Sequence, residues 1–399
     1  MNALAYVAAQ LMRRPLQTAL SVLLLALGIA TLIFVLLVQH QFARGLTRDA
    51  QGVDMVVGAK GSPLQLILSA VYHVDIPTGN VPLEALQTLR ANRLVARAIP
   101  ISLGDNHRGF RLVGTEPALL DQYGARLAQG TLWQGRLQAV AGAEAARGAA
   151  LTIGSTFYGA HGLSPDGPVH DDAQYRVVGV LAPTGTVLDR LILTDLESVW
   201  FVHEGEATDP TERAILEAER EVTAILVRYA SPMAAAVLPR QINADPKMQA
   251  AVPANEVARL FAVAGAGIET MRAFALVLLG SALLALFVAL MNALEDRRYD
   301  IAILRLLGAS RGRVAALMLL EAWILATAAL VIGVALGLVA VAVVAQWLSQ
   351  ARSFALSPWD WPLDAWLVLL LGFAVATLAA LLPAWRASRM QVHEALAQG

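Results

Sequence analysis

Few side chains in this sequence have the types and spacing that catalysis or metal binding requires. Cysteine is absent, which excludes disulfides, thiolate metal sites and thiol nucleophiles. The 7 histidines are scattered, and only His73-Val74-Asp75 and His170-Asp171-Asp172 have a spacing typical of metal ligands. A metal site needs three or four converging groups, so these two segments predict no metal site and no bound cofactor.

Residues for nucleophilic or phosphate chemistry are equally sparse. Ser155 and His161 could act as nucleophile and base, but no Gly-x-Ser-x-Gly turn frames the serine, and we predict no catalytic residue. A P-loop needs Gly-Lys-Ser/Thr to bind phosphates, whereas Lys60 lies in Gly-Ala-Lys-Gly and Lys247 follows a proline. The chain therefore carries no Walker-type ATPase of its own. Its 30 basic and 31 acidic side chains nearly cancel, which argues against nucleic acid as a partner.

The elements that would position any functional group are strongly apolar. Apolar residues make up 57% of the chain and charged residues 15%, against about 45–50% and about 25% in soluble proteins. They concentrate in four stretches that we predict as membrane spans, residues 16–38, 273–294, 314–347 and 365–382. The first stretch could instead be a signal peptide because Arg13 and Arg14 precede it. It is, however, longer than the usual apolar region and lacks a small-x-small cleavage site.

Basic residues near the ends of these stretches predict the orientation. Arginines precede the first span, occupy the loop between the second and third spans, and follow the fourth. By the positive-inside rule, segments 1–15, 295–313 and 383–399 are cytoplasmic and residues 39–268 lie outside. Arg44 and Arg48, after the first span, are a minor exception.

Residues 39–268 have the alternation of strands and the periodicity of helices. The predicted strands are 52–58, 110–114, 175–181, 191–193 and 222–227, and the predicted helices are 82–90, 116–123, 211–220, 232–242 and 255–261. The fold class is therefore an α-helical membrane protein with four transmembrane helices and a large α+β extracytoplasmic domain inserted between helices 1 and 2. Within this domain, the turn at 58–63 precedes the apolar run 64–71, which predicts either a core helix or an apolar surface for a partner.

The loop 295–313 is the segment most informative about function. Its apolar residues fall on two opposite sides of a helical wheel, Ile301 and Leu304 on one side and Ile303, Leu306 and Leu307 on the other. A short helix cannot bury both faces against its own spans, so the second face needs another protein or, alternatively, lies among lipid headgroups. Gly308 is placed to end this helix in the left-handed conformation.

The same loop carries a family resemblance. Residues 295–313 resemble the Glu-x-Arg-x-x-Glu/Asp-Ile-Ala/Gly-Ile-x-x-x-x-Gly-Ala signature of FtsX/MacB-type ABC transporter permeases, and 382–396 are similar to that family's Pro-Ala…Glu-Ala-Leu ending. The start of the chain at 12–15 also fits. Three exterior segments resemble the MacB-like periplasmic core domain, namely 142–154, 177–181 and 189–193.

This resemblance implies that the loop is a coupling helix that docks on a separate ATPase. The residues implied in coupling are Asp300, Ile301, Ile303, Leu304, Arg305, Leu306, Leu307 and Gly308. The chain would be the non-catalytic permease of a bacterial inner-membrane ABC transporter, transmitting the motion of two ATPase chains that bind ATP and Mg²⁺. It would form a homodimer, or a heterodimer with a sister permease. Its hydrophobic cargo would be a lipoprotein, lipid, peptide or drug, with an adaptor or cargo protein bound outside the membrane.

The residues leave one alternative of a different class open. The exterior domain could be a receptor or enzyme that is not coupled to ATP, with the four spans serving only as its membrane anchor. An anchor of that kind has no reason to keep an apolar helix at the cytoplasmic surface.

Glu321 is the one charged residue within the four predicted spans. An ionised carboxylate inside a membrane is costly, so Glu321 should be protonated or have a partner, such as a backbone N–H or an arginine of the coupling loop. Its role is then either a structural contact or the relay of a signal.

Overall fold

The structure is a computed structural model that describes residues 7, 9, 11–13, 15–162, 167–204, 209–350 and 356–390. The chain divides into two compact units. The helical unit contains Met1–Phe42, Val263–Leu348 and Ala355–Gly399, and the α+β unit contains Ala43–Ala262 and Ser349–Phe354. The four apolar stretches thus belong to one unit and most of the mixed segment to the other.

The first long helix, α1, spans Pro15–Asp49. Uncharged Leu, Ile and Val residues fill most of its length, and Arg48 in its last turn interacts favourably with the helix dipole. The helix continues beyond residue 38, where the apolar stretch ends, and from Ala43 onward it belongs to the α+β unit.

The described residues of the α+β unit form twelve strands and seven α-helices. The strands are β1 (Met55–Ala59), β2 (Val81–Pro82), β3 (Val95–His107), β4 (Phe110–Gly114), β5 (Leu127–Gly130), β6 (Gln138–Ala141), β7 (Thr156–His161), β8 (Val169–Leu181), β9 (Leu191–Thr194), β10 (Glu221–Val222), β11 (Ala224–Tyr229) and β12 (Met248–Ala251). The helices are α2 (Pro63–Ala70), α3 (Leu83–Ala91), α4 (Ala118–Gln122), α5 (Ala143–Gly148), α6 (Leu196–Glu204), α7 (Pro210–Ala218) and α8 (Pro232–Asn243).

Ten of these strands form one sheet. Its order is β12-β1-β11-β3-β4-β9-β6-β8-β5, and β7 pairs with both β3 and β8. Most neighbours are antiparallel, but β4 runs parallel to β9, and β6 runs parallel to β8. The long strands β3 and β8 each pair with three neighbours, so they connect the two ends of the sheet.

Two apolar clusters cover this sheet. One contains Phe110, Phe157 and Tyr175, and the other contains Met55 and Leu238. The clusters arise because strand residues of alternating position turn to the same face and bury their side chains together. This burial of apolar area is the main favourable contribution to the stability of the unit.

The predicted strands are all present, with changes of extent. The segment 175–181 is the second half of β8, and 222–227 is divided between β10 and β11. The sequence pattern does not predict the two-residue strand β2. It also does not predict β3, β5, β6, β7 or β12, because charged and small residues interrupt their alternation and pairing within the sheet stabilises them instead.

Four of the five predicted helices are present as α3, α4, α7 and α8. The fifth predicted helix, 255–261, is helical as well, but it is the beginning of a much longer helix, α9 (Pro253–Asp296). The two glycines that follow them, Gly265 and Gly267, lie within α9 and do not end it.

The apolar run that follows the turn at 58–63 is a core helix, as one of the two interpretations predicts. Ser62 caps the N-terminus of α2 by accepting a hydrogen bond from the Gln65 N–H, and Pro63 occupies its first turn. Leu66 and Ile67 are fully buried. This run therefore offers no apolar surface to a partner.

The helical unit continues with α9, α10 (Arg298–Leu306), α11 (Arg311–Gln350) and α12 (Ala365–Arg389). Among the described residues, α1, α9, α11 and α12 are the four helices long and apolar enough to cross a membrane. They share one core, which includes Ile29 of α1, Leu286 of α9, Ala326 of α11 and Val375 of α12. The four predicted spans thus coincide with four packed helices.

Two glycines bring α11 against α1. A Cβ on Gly333 would lie 2.7 Å from the Ala26 carbonyl oxygen, and one on Gly337 would lie 3.0 Å from a methyl carbon of Ile33. Small residues four positions apart allow helix backbones to approach closely, which is a common way to pack membrane helices.

Candidate functional site

Helix α10 has two apolar faces with different surroundings. Ile301 and Ala302 are buried, whereas Leu306 is 63% exposed and Leu307, just after the helix, is 79% exposed. Ile303 lies on the exposed side as well. The separation of Ile301 from Ile303, Leu306 and Leu307 that the helical wheel predicts is therefore present.

The buried face packs on the ends of three other helices. Ile301 belongs to an apolar cluster with Leu294 of α9, Val314 and Met318 of α11, and Ala384 of α12. Arg305 adds a polar contact, since its Nη1 donates to the Met390 carbonyl oxygen just beyond α12, at 2.6 Å. Helix α10 is thus attached to α9, α11 and α12 at once.

The other residues predicted for coupling lie at the edges of this helix. Leu304 is half-buried instead of fully turned inward, and Asp300 in the first turn is exposed. Gly308 has φ = +97°, the left-handed conformation that favours glycine, as predicted. The Ser310 hydroxyl then accepts a hydrogen bond from the Arg313 N–H at the start of α11.

Glu321 has a partner, and the partner is Arg297, which lies between α9 and α10. Arg297 donates from Nη1 to Oε2 at 2.8 Å and from Nη2 to Oε1 at 3.3 Å. Both side chains are buried, at 9% and 4% exposure. The guanidinium thus binds the carboxylate in a bidentate ion pair. This pair links the residue just before α10 to the third turn of α11.

The comparison with family models decides what this architecture is. Residues 18–245, more than half of the chain, match the model of the MacB-like periplasmic core domain. Residues 272–392 match the FtsX-like permease C-terminal model, which includes α10 and both its neighbours. The chain belongs to the FtsX/MacB-type ABC transporter permeases. The predicted family resemblance is confirmed.

Two solved structures of regions of ABC-type transporters are also similar to this chain. The periplasmic region of MacB from Actinobacillus actinomycetemcomitans is 14% identical, with a TM-score of 0.35, and the match covers 54% of this chain and 97% of that one. The extracellular domain of the noncanonic ABC-type transporter YknZ from Gram-positive bacteria is 11% identical, with a TM-score of 0.31, covering 49% and 98%. No curated protein matches the chain.

The permease does not assemble the three groups of residues that the sequence offers for catalysis or metal binding in its α+β unit, Ser155 with His161, His73 with Asp75, and His170 with Asp171 and Asp172. The Ser155 hydroxyl bonds with the backbone N–H and hydroxyl of Thr152, whereas His161 lies against Asp105. The Asp75 carboxylate accepts from the Ile76 N–H, and His73 is enclosed with its Nδ1 lacking a hydrogen-bond partner. Asp171 and Asp172 are exposed beside His170 and do not join it in a site.

The expectation of no metal site rests on ligands that are scattered along the sequence, but the fold brings four of them together. Asp105, His161, His170 and His203 each bring one potential ligand atom to a common point, and these atoms lie within 4.8 Å of one another. Of the four, only His170 was part of a segment with ligand spacing. No local pattern marks the others, because β3, β7, β8 and α6 meet only in the folded unit.

The buried carboxylate of this cluster affects its surroundings. Burial raises the pKa of Tyr175 above its usual value of 10.0, and the negative charges of Asp105 and Asp195 raise it further. The phenol is therefore neutral under all physiological conditions. Its ring stacks on Phe157, whose neighbour His107 is outside the ligand cluster.

Proposed function

We propose that this permease transmits ATP-driven motion of a separate ABC ATPase to its α+β unit through helix α10. The observation that carries the proposal is the exposed apolar face of α10, formed by Ile303, Leu306 and Leu307. Burying a leucine side chain is favourable by about 1.5–3 kcal/mol, so this face would contribute substantially to docking. Permeases of this family work with ABC ATPase partners, and α10 lies in the family's matched C-terminal region.

The contacts of α10 suit it to transmit force. Its inner face is fastened by the Ile301 cluster, by the bond from Arg305 to the end of α12, and by the Arg297–Glu321 pair. Displacement of α10 would therefore move the ends of α9, α11 and α12 together. On this proposal, Glu321 has a structural role that also holds the relay together.

The proposed setting is the bacterial inner membrane. Large apolar side chains are exposed along the three later long helices, including Leu276, Leu284, Val331, Val343 and Leu370, as expected for lipid-facing surfaces. We place both termini and α10 in the cytoplasm and the α+β unit outside. The working assembly would be a permease dimer, of one chain or with a sister permease, on two ATPase chains that hold ATP and Mg²⁺.

The proposed permease contributes no catalysis and moves a hydrophobic cargo. Lipoproteins, lipids, peptides and drugs all remain within this class. The alternative of an anchored receptor or enzyme predicts no ATPase partner, and the exposed face of α10 argues against it.

The double variant Leu306→Asp with Leu307→Asp tests the docking. Two charges in an apolar interface should reduce copurification of a Walker-type ATPase at least tenfold, because the interface would have to bury unpaired carboxylates. Ile153→Asp is the matched control, since Ile153 is a 47% exposed apolar residue of the α+β unit. If the double variant retains the ATPase as the control does, the docking proposal fails.

The absence of cysteine gives a direct test of orientation. Leu307→Cys and Ile153→Cys each provide a single thiol for a membrane-impermeant maleimide. We expect Ile153→Cys to react in intact spheroplasts and Leu307→Cys to react only after the membrane is opened. Reaction of Leu307→Cys in intact spheroplasts would contradict a cytoplasmic α10.

A further inference from the structure

Four side chains from four elements of the α+β unit converge on one point. Asp105 lies near the end of β3, His161 ends β7, His170 is the second residue of β8, and His203 lies in the last turn of α6. Asp105 Oδ1 is 3.3 Å from His161 Nδ1, 3.4 Å from His170 Nε2 and 4.0 Å from His203 Nε2. The cluster is separate from helix α10, which belongs to the helical unit.

The backbone around the cluster is firmly held. Asp105 and His161 are directly paired across the β3–β7 ladder. The Asn106 amide donates to the carbonyl oxygens of Ala160 and Gly162, and the Gly162 N–H donates to the Gly104 carbonyl. The ligand positions on β3 and β7 are thus determined by strand pairing and do not depend on loops.

The hydrogen-bond geometry shows that these groups do not satisfy one another. Despite the short distances, both buried oxygens of Asp105 and the buried Nε2 of His170 lack a hydrogen-bond partner. The ion pairs formed by Asp105 within the described part of the chain are to histidines only, without an arginine or lysine. A buried carboxylate without compensation is costly, so the arrangement calls for a cation.

The spacing suits a small tetrahedral ion. Ligand atoms about 2.0–2.1 Å from a tetrahedral ion lie about 3.4 Å apart, which matches the contacts of Asp105 with His161 and His170. His203 Nε2, 4.0 Å from Asp105 Oδ1, would have to move closer to complete the set. Its Nδ1 is 2.8 Å from the Val199 carbonyl oxygen, so a proton on Nδ1 would be donated there and leave the lone pair of Nε2 for a metal.

We propose that the α+β unit binds one divalent transition-metal ion of the zinc type through Asp105, His161, His170 and His203. Three imidazoles and one carboxylate are donors for Zn²⁺ and its neighbours, whereas Mg²⁺ and Ca²⁺ prefer an all-oxygen set. The site goes beyond the proposed transmission function and does not depend on it.

The location of the ligands determines how the ion would exchange and what it would do. Asp105 is almost fully buried, but the His161 and His203 side chains are 46% and 39% exposed, so the ion can enter from solution. A bound ion would join β3, β7, β8 and α6. The stability of the α+β unit would therefore depend on the concentration of free metal.

Direct metal binding by the full chain in detergent tests the proposal. The protein, purified without a polyhistidine tag and stripped with a chelator, is titrated with Zn²⁺ against a chromogenic competitor and with Co²⁺ by visible absorption. We expect one equivalent of either ion and the intense bands of tetrahedral Co²⁺. Binding of less than one equivalent, or only the weak bands of octahedral Co²⁺, would overturn the proposal.

Matched variants distinguish this site from adventitious binding. Asp105→Asn and His203→Gln should each weaken Zn²⁺ binding at least tenfold, and His203→Gln, at a partly exposed position, carries little risk to folding. His107→Gln, two residues from Asp105 on β3 but outside the cluster, should bind as the parent does. Equal affinity of His203→Gln and the parent chain, both folded by circular dichroism, would identify the bound ion as adventitious and refute the site.

Discussion

Two of the buried carboxylates of this permease, Glu321 and Asp105, are balanced in opposite ways. Glu321, in the helical unit, receives two hydrogen bonds from Arg297 and is complete within the chain. Asp105, in the α+β unit, faces three imidazoles and has no hydrogen bond to either oxygen. One site has its cation built in as a guanidinium, and the other is arranged to take its cation from solution.

This difference fits the roles proposed above for the two sites. The Arg297–Glu321 ion pair joins the residue before α10 to α11, which suits the proposed transmission of force. A ligand cluster that lacks its metal ion makes the stability of the α+β unit depend on the concentration of free metal. Several substitutions can break or sharpen this comparison.

The largest effect on the free energy of unfolding is expected from Arg297→Met. Loss of the guanidinium leaves Glu321 buried and uncompensated, which costs about 3–5 kcal/mol in comparable pairs. The measurement is the free energy of unfolding in detergent. The double variant Arg297→Met with Glu321→Leu should recover most of the loss, and no recovery would show that the arginine acts through other contacts.

When no metal is present, Asp105→Asn should raise the free energy of unfolding, whereas Arg297→Met lowers it. The amide removes an unsatisfied buried charge, so the chelator-treated variant should be more stable than the parent by about 1–3 kcal/mol. With excess Zn²⁺ the order should reverse, because only the parent gains from binding. Thermal unfolding with and without Zn²⁺ measures both; a variant less stable in chelator would show that Asp105 is already satisfied.

His73, which lies outside the cluster, provides a contrast to it. Burial lowers the pKa of His73 well below 6.5, and Arg111 and Arg190 lower it further. Below pH 6.5 the unfolded chain binds a proton that folded His73 does not. The stability that this histidine contributes is therefore complete above about pH 6.5 and lost as the pH falls, by at most about 1.4 kcal/mol per pH unit.

The variant His73→Asn isolates this contribution. Asparagine tolerates the left-handed backbone at this position, where φ is +57°. Unfolding free energies measured from pH 7.5 to pH 5 in chelator should fall less steeply for the variant than for the parent. Parallel curves would mean that His73 gains its proton in the folded state as easily as in the unfolded one.

The smallest effect is expected at an exposed ion pair beside the buried one. Arg298 donates to Glu295 at 2.6 Å, but both side chains are about half exposed. Arg298→Gln should cost only about 0.2–1 kcal/mol, and high salt should reduce even this difference. If Arg298→Gln lowered the free energy of unfolding as much as Arg297→Met does, burial could not explain why the two ion pairs differ.

Much of the helical unit and its candidate site follows from local sequence. The four apolar stretches, the two faces of α10, the glycine that ends it and an arginine partner for Glu321 can all be predicted. Residues within a few helical turns of one another decide these features, so their periodicity is visible in the sequence. Which arginine reaches Glu321 is not visible, since Arg297, Arg298 and Arg305 all lie in the same loop.

The amino-acid sequence by itself thus determined the four long apolar helices, the two-faced helix α10 and the family of the chain. The tertiary structure alone decided the order of the ten-stranded sheet and the meeting of Asp105, His161, His170 and His203. The physical reason is the range of the interactions. Helix periodicity and capping act between near neighbours in the chain, whereas strand pairing joins distant segments and leaves no local pattern at the residues it brings together.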